Sequence, residues 1–237
     1  MSEFLYTTDA YVRNFEAVVT AVTEDNGVIL DRTAFYPGGG GQPNDEGMLT
    51  AGDQTWNVTK VKKVGGEVVH FVEGEPPAVG TAVTGQLDWD RRYKLMRTHT
   101  AMHILCGVVF RDYGASVTGG NMDPLKGRMD FEFETMRQEL VVEIETAVNV
   151  EVEAARATRV QILPREEAFQ IPDLIRTKIS LLPEGIPEVR TVELVGLDLQ
   201  ADGGTHVANT KEVGPMRITD YKSKGKINKR IYVELEG

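Results

Sequence analysis

Short runs of apolar and other strand-forming residues occupy the first part of the chain and predict β-strands. They are rich in Val, Ile, Thr and Phe, and they cover residues 15–23, 27–35, 55–64, 67–72 and 81–87. Asp25-Asn26-Gly27 and Gly65-Gly66 separate neighbouring runs and have the composition of hairpin turns. Several short strands joined by tight turns are typical of a small β-barrel, which we predict for residues 1–87.

The periodicity changes to that of a helix at Asp88, a residue type that often caps a helix N-terminus. From there the pattern is helical at least to residue 109. The predicted apolar face of this helix is formed by Leu95, Met102, Val109 and Tyr113. We therefore place a domain boundary at Asp88 and expect a second domain over residues 88–237.

A second helix is predicted over residues 135–157, with Leu140, Ile144, Ala147 and Val148 facing inward. We interpret its opposite, acidic face as a solvated surface that contains Glu139, Glu143, Glu145, Glu151 and Glu153. Strand-like runs then cover residues 159–163, 189–195, 216–221 and 227–235, with a short helix opening at Pro164 and a proline-punctuated loop region to Pro187. The predicted fold class is α+β, a small N-terminal β-barrel followed by an α+β domain.

The composition excludes several classes of protein. Apolar residues make up 41% of the 237 residues, but no uninterrupted apolar run approaches the roughly 18 residues that a membrane span needs. Residues 1–10 lack the basic segment and apolar stretch of a secretory signal, and the single cysteine, Cys106, has no partner for an internal disulfide. We therefore expect a cytoplasmic protein that is not inserted in a membrane.

The charge balance limits how the chain can bind nucleic acid. With 26 basic and 36 acidic residues the net charge is −10, so RNA must be held by local patches rather than by a broad surface. One basic cluster lies on the first predicted helix, just before His99, and contains Arg91, Arg92, Lys94 and Arg97. The other lies in the last predicted hairpin and contains Lys222, Lys224, Lys226, Lys229 and Arg230. We predict that these clusters contact RNA; the alternative is a purely solubilising role.

The four histidines carry the strongest chemical signal. His99 and His103 are four residues apart in the first predicted helix, which places both imidazoles on one face, where they can bind one metal ion. Such a pair alone is weak evidence. His206 follows Gly203-Gly204 in a loop, and adjacent glycines allow a sharp turn that can direct this residue toward a site built elsewhere. Asp202 can add an oxygen ligand, and three histidines with a carboxylate or water suit Zn²⁺.

Two separate motifs, in order, resemble a known family. Thr98-His99-x-x-x-His103 followed by Gly203-Gly204-Thr205-His206 resembles the editing domain of alanyl-tRNA synthetase, which is related to the second N-terminal domain of threonyl-tRNA synthetase. The segment from Leu30 to Pro43, with Gly38-Gly39-Gly40-Gly41, is similar to the glycine-rich motif that precedes that editing domain. Over nearly its whole length the chain resembles the free-standing AlaX-type editing proteins of medium length.

The resemblance implies roles for particular residues. Its fourth metal-binding position is normally a cysteine four residues before the loop histidine, and this chain has Asp202 there, so either Asp202 or water completes the site. Thr118 resembles a polar threonine of the family's amino-acid pocket, where its hydroxyl would pair with the hydroxyl of serine, and Asn121 is a weaker candidate. An ordinary strand or turn threonine is the alternative. Cys106 is interpreted as a buried apolar side chain and His70 as structural.

The glycine run Gly38 to Gly41 has two interpretations. No lysine follows it as in a phosphate-binding loop, so nucleotide binding is not predicted. Either the loop packs over the mouth of the metal site with Gln42 reaching in, or it is a structural turn.

The function implied by the resemblance is hydrolysis of tRNA(Ala) that has been wrongly charged with serine or glycine, with Zn²⁺ as the cofactor. Two alternatives stay open: a zinc-binding, tRNA-binding module without hydrolytic activity, and a metallohydrolase that acts on another small ester or amide. The sequence leaves the oligomeric state open.

Overall fold

The computed structural model describes residues 2–176 and 185–237. The chain divides into two compact units, Met1–Lys94 and Leu95–Gly237. The domain boundary at Asp88 stays a prediction. In the part of the chain that the structure describes, no helix is long and apolar enough to cross a membrane.

Eight strands precede the first α-helix, and strands and helices are mixed in the rest of the chain. The strands are β1 (Glu3–Phe4), β2 (Asn14–Val22), β3 (Gly27–Leu30), β4 (Arg32–Thr33), β5 (Gly47–Ala51), β6 (Gln54–Val64), β7 (Glu67–Val72), β8 (Ala82–Leu87), β9 (Val117–Asp123), β10 (Lys126–Glu132), β11 (Thr158–Pro164), β12 (Glu188–Leu194), β13 (Asp198–Ala201), β14 (Met216–Ser223) and β15 (Asn228–Leu235). The α-helices are α1 (Trp89–Tyr113), α2 (Gln138–Glu153) and α3 (Arg165–Ala168).

The N-terminal unit contains a closed six-stranded barrel in the order β2-β3-β7-β6-β5-β8, which confirms the predicted barrel. Its core is filled by inward side chains such as Leu30, Phe35, Leu49 and Val58, all at most 1% exposed. The strand that the sequence pattern missed is β5, because Gly-Met-Leu-Thr-Ala has only one β-branched residue. His70 is structural as predicted: its ring nitrogens lie 2.8 Å from Thr33 Oγ1 and 2.9 Å from the Val28 carbonyl oxygen.

The C-terminal unit contains a four-stranded sheet in the order β14-β15-β10-β9 and a three-stranded sheet in the order β11-β12-β13. Glycine at position 127 lets β10 come close to α1, because a Cβ there would lie 2.5 Å from the Met102 sulfur. The sequence pattern missed β10 and β13, and it left β9 between strand and loop. Part of the predicted loop region, residues 177–184, lies outside the described residues.

The two long predicted helices form, with corrections to their faces, and the short helix predicted at Pro164 forms as α3. Asp88 Oδ1 accepts a hydrogen bond from the Arg91 backbone N–H at 3.1 Å, which confirms the predicted cap of α1. Tyr113 is 37% exposed, so its assignment to the apolar face was wrong. In α2, Ile144 and Val148 are buried as predicted, whereas Leu140 and Ala147 are only partly buried.

The acidic face of α2 is not uniformly solvated. Glu151 is buried, and its carboxylate accepts a hydrogen bond from Arg156 Nε at 2.5 Å and pairs with Arg111. The interpretation of Glu151 as a surface residue was therefore wrong, because two arginines balance its charge inside the unit.

Candidate metal centre

Four side chains of the C-terminal unit converge on one point. His99 and His103 come from α1, and Asp202 and His206 come from the loop that follows β13. One ligand atom from each lies within 4.8 Å of all the others. His99, His103 and His206 are buried, and Asp202 is partly buried. The structure thus brings together the four residues that the sequence predicted as metal ligands.

The helical spacing accounts for the first pair. Residues four apart lie one turn apart on the same helix face, and the ring centroids of His99 and His103 are 5.2 Å apart. The ring of His206 completes the cluster, with its centroid 4.3 Å from His99 and 4.6 Å from His103.

The loop conformation aims the carboxylate of Asp202 at the histidines. Oδ2 accepts a hydrogen bond from the Gly204 backbone N–H at 2.6 Å and lies 3.1 Å from His206 Nε2. Oδ1 lies 3.4 Å from His99 Nε2. The guanidinium of Arg190 donates to the Asp202 carbonyl oxygen at 2.9 Å, which fixes the backbone at this point.

Two histidines have polar partners on the side away from the cluster. His103 Nδ1 lies 3.0 Å from Asp198 Oδ2, and His206 Nδ1 lies 3.3 Å from Thr100 Oγ1. Thr100 Oγ1 also accepts from the Val207 backbone N–H at 3.2 Å, so the helix and the histidine loop are joined next to the cluster. Asp198 and Thr100 had no signal in the sequence, since neither belongs to a spacing pattern of ligand residues.

Burial and the neighbouring polar groups together set the pKa values of the four clustered side chains. Burial lowers the pKa of His99 to about 4, which leaves a neutral imidazole at pH 7. Burial also holds the pKa of His206 well below its usual value. Burial opposes protonation of His103 as well, but the hydrogen bond and negative charge of Asp198 outweigh it and raise the pKa of His103. Burial opposes ionisation of Asp202, yet interactions with His99 and His206 hold its pKa well below the usual range.

The donor set fits a zinc ion. Imidazole nitrogen and carboxylate oxygen are both common Zn²⁺ ligands, and a neutral imidazole has the lone pair that a metal requires. Three imidazoles and one carboxylate converge in a buried position, where a metal ion would bind the imidazole lone pairs and balance the charge of the carboxylate. The residues present therefore suit the ion that the sequence predicted.

Cys106 is not part of this ligand set. Its side chain is 2% exposed, and burial raises the pKa of its thiol above the range in which a thiolate forms at neutral pH. The prediction that it is a buried apolar group is confirmed.

Thr118 and Asn121 lie on exposed positions of β9. Thr118 is the extra residue of a β-bulge, because Val117 pairs with Phe131 and Gly119 with Asp130. Its hydroxyl donates to Asn228 Oδ1 at 2.8 Å. Neither residue is one of the four that converge at the cluster, and their role in amino-acid recognition stays a prediction.

Gln42 lies in the N-terminal unit, and its side chain is buried. Its backbone pairs with Gly39 through two hydrogen bonds of 3.0 and 2.9 Å. All four glycines from Gly38 to Gly41 have positive φ, which gives a structural reason for the glycine run. That Gln42 reaches into the metal site stays a prediction.

Arg92 does not contact RNA, and that prediction was wrong. Its side chain is 0% exposed. The guanidinium forms a buried ion pair with Asp45 and donates to the carbonyl oxygens of Ala34 and Ala10 at 2.6 and 2.9 Å. Asp45 in turn accepts from the Tyr36 backbone N–H at 2.6 Å, so Arg92 holds both sides of the glycine-rich loop.

The other basic residues of the first cluster are partly exposed. Arg91 donates to the Asn44 carbonyl oxygen at 3.1 Å, Lys94 pairs with Asp90 at 2.6 Å, and Arg97 donates to the Val213 carbonyl oxygen at 2.9 Å. Each has a role within its own unit, and RNA contact by Arg91, Lys94 and Arg97 stays a prediction.

The second cluster divides into exposed and buried members. Lys222, Lys224 and Lys226 are exposed on the hairpin between β14 and β15. Lys229 is 6% exposed, and its Nζ donates to the carbonyl oxygens of Gly225 and Lys226 at 2.9 and 3.0 Å. Its assignment to an RNA-contacting surface was therefore wrong, because the hairpin turn uses its charge.

Comparison with known proteins finds relatives over the full chain. Residues 6–91 match the family described as tRNA synthetases class II (A), and residues 189–232 match the threonyl and alanyl tRNA synthetase second additional domain. The alanyl-tRNA editing protein AlaX-M of Saccharolobus solfataricus is 42% identical over 236 residues, which cover 98% of both chains. AlaX-M of Methanosarcina barkeri is 38% identical over 99% of both chains. The alanine–tRNA ligase of Ignicoccus hospitalis is 39% identical over 90% of this chain and 24% of that ligase.

Proposed function

Because the chain belongs to the AlaX-M family of alanyl-tRNA editing proteins, we propose that it edits mischarged tRNA(Ala) in trans. The reaction is hydrolysis of the aminoacyl ester: water adds to the carbonyl carbon, the bond to the ribose oxygen breaks, and that oxygen receives a proton. Seryl-tRNA(Ala) is the main substrate, and glycyl-tRNA(Ala) is a second one. The products are the free amino acid and uncharged tRNA(Ala).

The observation that carries this proposal is the buried convergence of His99, His103, His206 and Asp202 in a chain of this family. These residues would hold Zn²⁺ through ring nitrogens and a carboxylate oxygen. When bound, Zn²⁺ supplies a Lewis acid that can hold the substrate's α-amino group or lower the pKa of a water molecule. Because aminoacyl esters are intrinsically labile, orientation of the ester and of one water molecule at the cluster would supply much of the rate.

Discrimination between serine and alanine requires a polar partner for the serine hydroxyl. Alanine lacks only that hydroxyl, so a steric filter cannot exclude it, whereas a site that pairs with the hydroxyl loses a hydrogen bond to alanine. Thr118 is our candidate for this partner, with Asn121 as the alternative. The bulge at Thr118 supports the assignment, because bulges often redirect a side chain next to a functional site.

A deacylation assay with three substrates tests the proposal. We expect release of serine from seryl-tRNA(Ala), release of glycine from glycyl-tRNA(Ala), and no release of alanine from alanyl-tRNA(Ala). A Thr118→Val variant keeps the side-chain volume but loses the hydroxyl, and it should cleave the seryl substrate more slowly while the glycyl rate is unchanged. Asn228→Ala is the matched control, because it removes the partner of Thr118 and leaves the hydroxyl in place.

The outcomes separate the proposal from its alternatives. A protein that binds Zn²⁺ and tRNA but cleaves none of the three substrates is a binding module. Cleavage of small model esters without cleavage of any charged tRNA indicates another metallohydrolase. Equal rates on the seryl and alanyl substrates would contradict the editing role directly.

A further inference from the structure

Asp198 is a fully buried carboxylate at the first position of β13, and no ligand motif in the sequence includes it. Its Oδ2 lies 3.0 Å from His103 Nδ1 and accepts a hydrogen bond from Gln200 Nε2 at 2.7 Å. It therefore contacts one of the four clustered residues without belonging to the cluster itself.

The contact with Asp198 selects the tautomer of His103. An ionised carboxylate only accepts hydrogen bonds, so the proton of a neutral imidazole must be on Nδ1. The lone pair is then on Nε2, which is the nitrogen left to join the cluster with Asp202. Hydrogen bonds of this kind, from the outer ring nitrogen to a carboxylate, orient metal-binding histidines and make them better ligands.

A partly buried cation lies next to Asp198. Arg176 Nε lies 3.6 Å from Asp198 Oδ1, and the Arg176 guanidinium lies 3.7 Å from the centroid of the Phe110 ring, two turns of α1 after His103. Arg176, Gln200 and His103 thus surround the Asp198 carboxylate.

Gly107 provides the space that Asp198 needs. Glycine inside a helix destabilises it relative to alanine, so its presence in α1 requires a physical reason. A Cβ at this position would lie 2.9 Å from Leu197 Cγ, 3.0 Å from Asp198 Cβ and 3.2 Å from the Leu197 carbonyl oxygen. A larger residue would push the start of β13 away from the helix face that carries His103.

We propose that Asp198 is a positioning residue of the metal centre. It fixes the orientation and tautomer of His103, and the absence of a side chain at Gly107 gives it the space to reach that histidine. This inference rests on the proposed zinc site. Asp198 does not touch the metal or the substrate; it acts through the imidazole.

Metal binding in the whole protein, measured without tRNA, tests this inference. We expect Asp198→Asn to weaken Zn²⁺ binding about 10- to 100-fold, as loss of an outer partner usually does, and to change the visible absorption spectrum of the Co²⁺-substituted protein. Glu151→Gln is the matched control, since it removes another buried carboxylate that pairs with arginines in the same unit. It should lose stability and keep the wild-type Zn²⁺ affinity and Co²⁺ spectrum.

Gly107→Ala provides an independent test that keeps every polar group. If Gly107 had no role in the metal site, this variant would have a more stable helix and unchanged metal binding. Our proposal predicts weaker Zn²⁺ binding instead, because the new methyl group displaces Asp198. Zn²⁺ affinity within about twofold of the wild type in Asp198→Asn, with an unchanged Co²⁺ spectrum, would overturn the proposal. If Asp198→Asn fails to fold, an unchanged Zn²⁺ affinity in Gly107→Ala would overturn the proposal in its place.

The experiment also separates this inference from the editing function. A wild-type protein that binds Zn²⁺ but deacylates no tRNA overturns the editing proposal and leaves the role of Asp198 to be decided by the two variants. A wild-type protein that binds neither Zn²⁺ nor Co²⁺ overturns the positioning role.

Discussion

Oδ1 of Asp202 lies 3.4 Å from Nε2 of His99, although the two residues belong to elements that are far apart in the sequence. The other oxygen, Oδ2, accepts the Gly204 backbone N–H. One oxygen thus anchors the loop, and the other faces the helix that carries the histidine pair. The position at which the family normally has cysteine is therefore occupied by a carboxylate already directed at the cluster.

Removal of one imidazole should empty the metal site. We expect purified wild-type protein to contain about one Zn²⁺ per chain and His103→Ala to lose it, because a structural or catalytic zinc site depends on each nitrogen ligand. Elemental analysis of both proteins measures this. His70→Gln is the control, since His70 is a buried histidine whose partners are Thr33 and Val28. Equal zinc contents in the wild type and His103→Ala would remove His103 from the ligand set.

The metal cluster could be predicted from the sequence because its information is local. A spacing of four residues fixes two imidazoles on one helix face, and Gly203-Gly204 marks the loop that brings in His206. Asp198 could not be found in this way. Its contact with His103 depends on how β13 packs against α1, and that packing depends on the absence of a side chain at Gly107.

Assignment of charged residues to the surface was less reliable than prediction of the metal cluster, because a sequence does not show which charged side chains are paired inside the fold. Arg92 and Lys229 look like members of basic surface clusters, yet both are buried and bind carbonyl oxygens of the fold. Glu151, an acidic residue, was likewise assigned to a surface, yet it is buried and pairs with Arg111. The barrel was predictable from its strand-forming runs and its turns, and β5 is the barrel strand that this pattern missed.

Arg92 should be a stability residue rather than an RNA contact. Removal of one partner from a buried ion pair leaves an uncompensated charge, here on Asp45, and typically costs about 3–5 kcal/mol. We expect Arg92→Ala to lose about that much free energy of unfolding, measured by denaturant titration. Lys94→Ala, in which a partly exposed pair is lost, should change it by less than about 1 kcal/mol. Similar losses in the two variants would contradict this role of Arg92.

Glu151 should make stability depend on pH in the acidic range. Burial disfavours its charge, but hydrogen bonds from Arg156 and Arg111 outweigh burial and lower its pKa in the folded state. A lowered folded-state pKa adds stability above the unfolded-state pKa, about 4.3, and this gain disappears as the pH falls through the folded-state value.

Glu151→Gln should therefore be less stable than the wild type by about 1–3 kcal/mol at pH 7, less than for a fully buried pair because Arg111 is exposed. The difference should shrink below about pH 4, where the carboxylate of the wild type becomes protonated. Thermal unfolding at several pH values measures it. Glu153→Gln is the control, because Glu153 lies on an exposed part of the same helix. A difference that is constant from pH 7 to pH 3 would rule out this electrostatic origin.

The exposed lysines of the last hairpin should contribute to tRNA affinity through counterion release. We expect the triple variant Lys222→Ala, Lys224→Ala and Lys226→Ala to bind tRNA more weakly and to reduce the slope of log affinity against log salt by about 2–3. The matched control replaces Lys60, Lys62 and Lys63, three exposed lysines of β6. An unaltered slope in the folded hairpin variant would place the RNA on another surface, with Arg91, Lys94 and Arg97 next to be tested.

Asp202 should be replaceable by the cysteine that the family normally has at this position, but not by alanine. If Asp202 is a ligand, Asp202→Ala releases zinc and abolishes deacylation, while Asp202→Cys keeps the metal, because thiolate is a softer and stronger partner for Zn²⁺ than carboxylate. If Asp202 only orients His206 by a hydrogen bond, the alanine variant should keep its zinc with an affinity reduced about 10- to 100-fold. Zinc titration of both variants distinguishes these cases. Undiminished zinc affinity and activity in Asp202→Ala would mean that three histidines and a water molecule suffice.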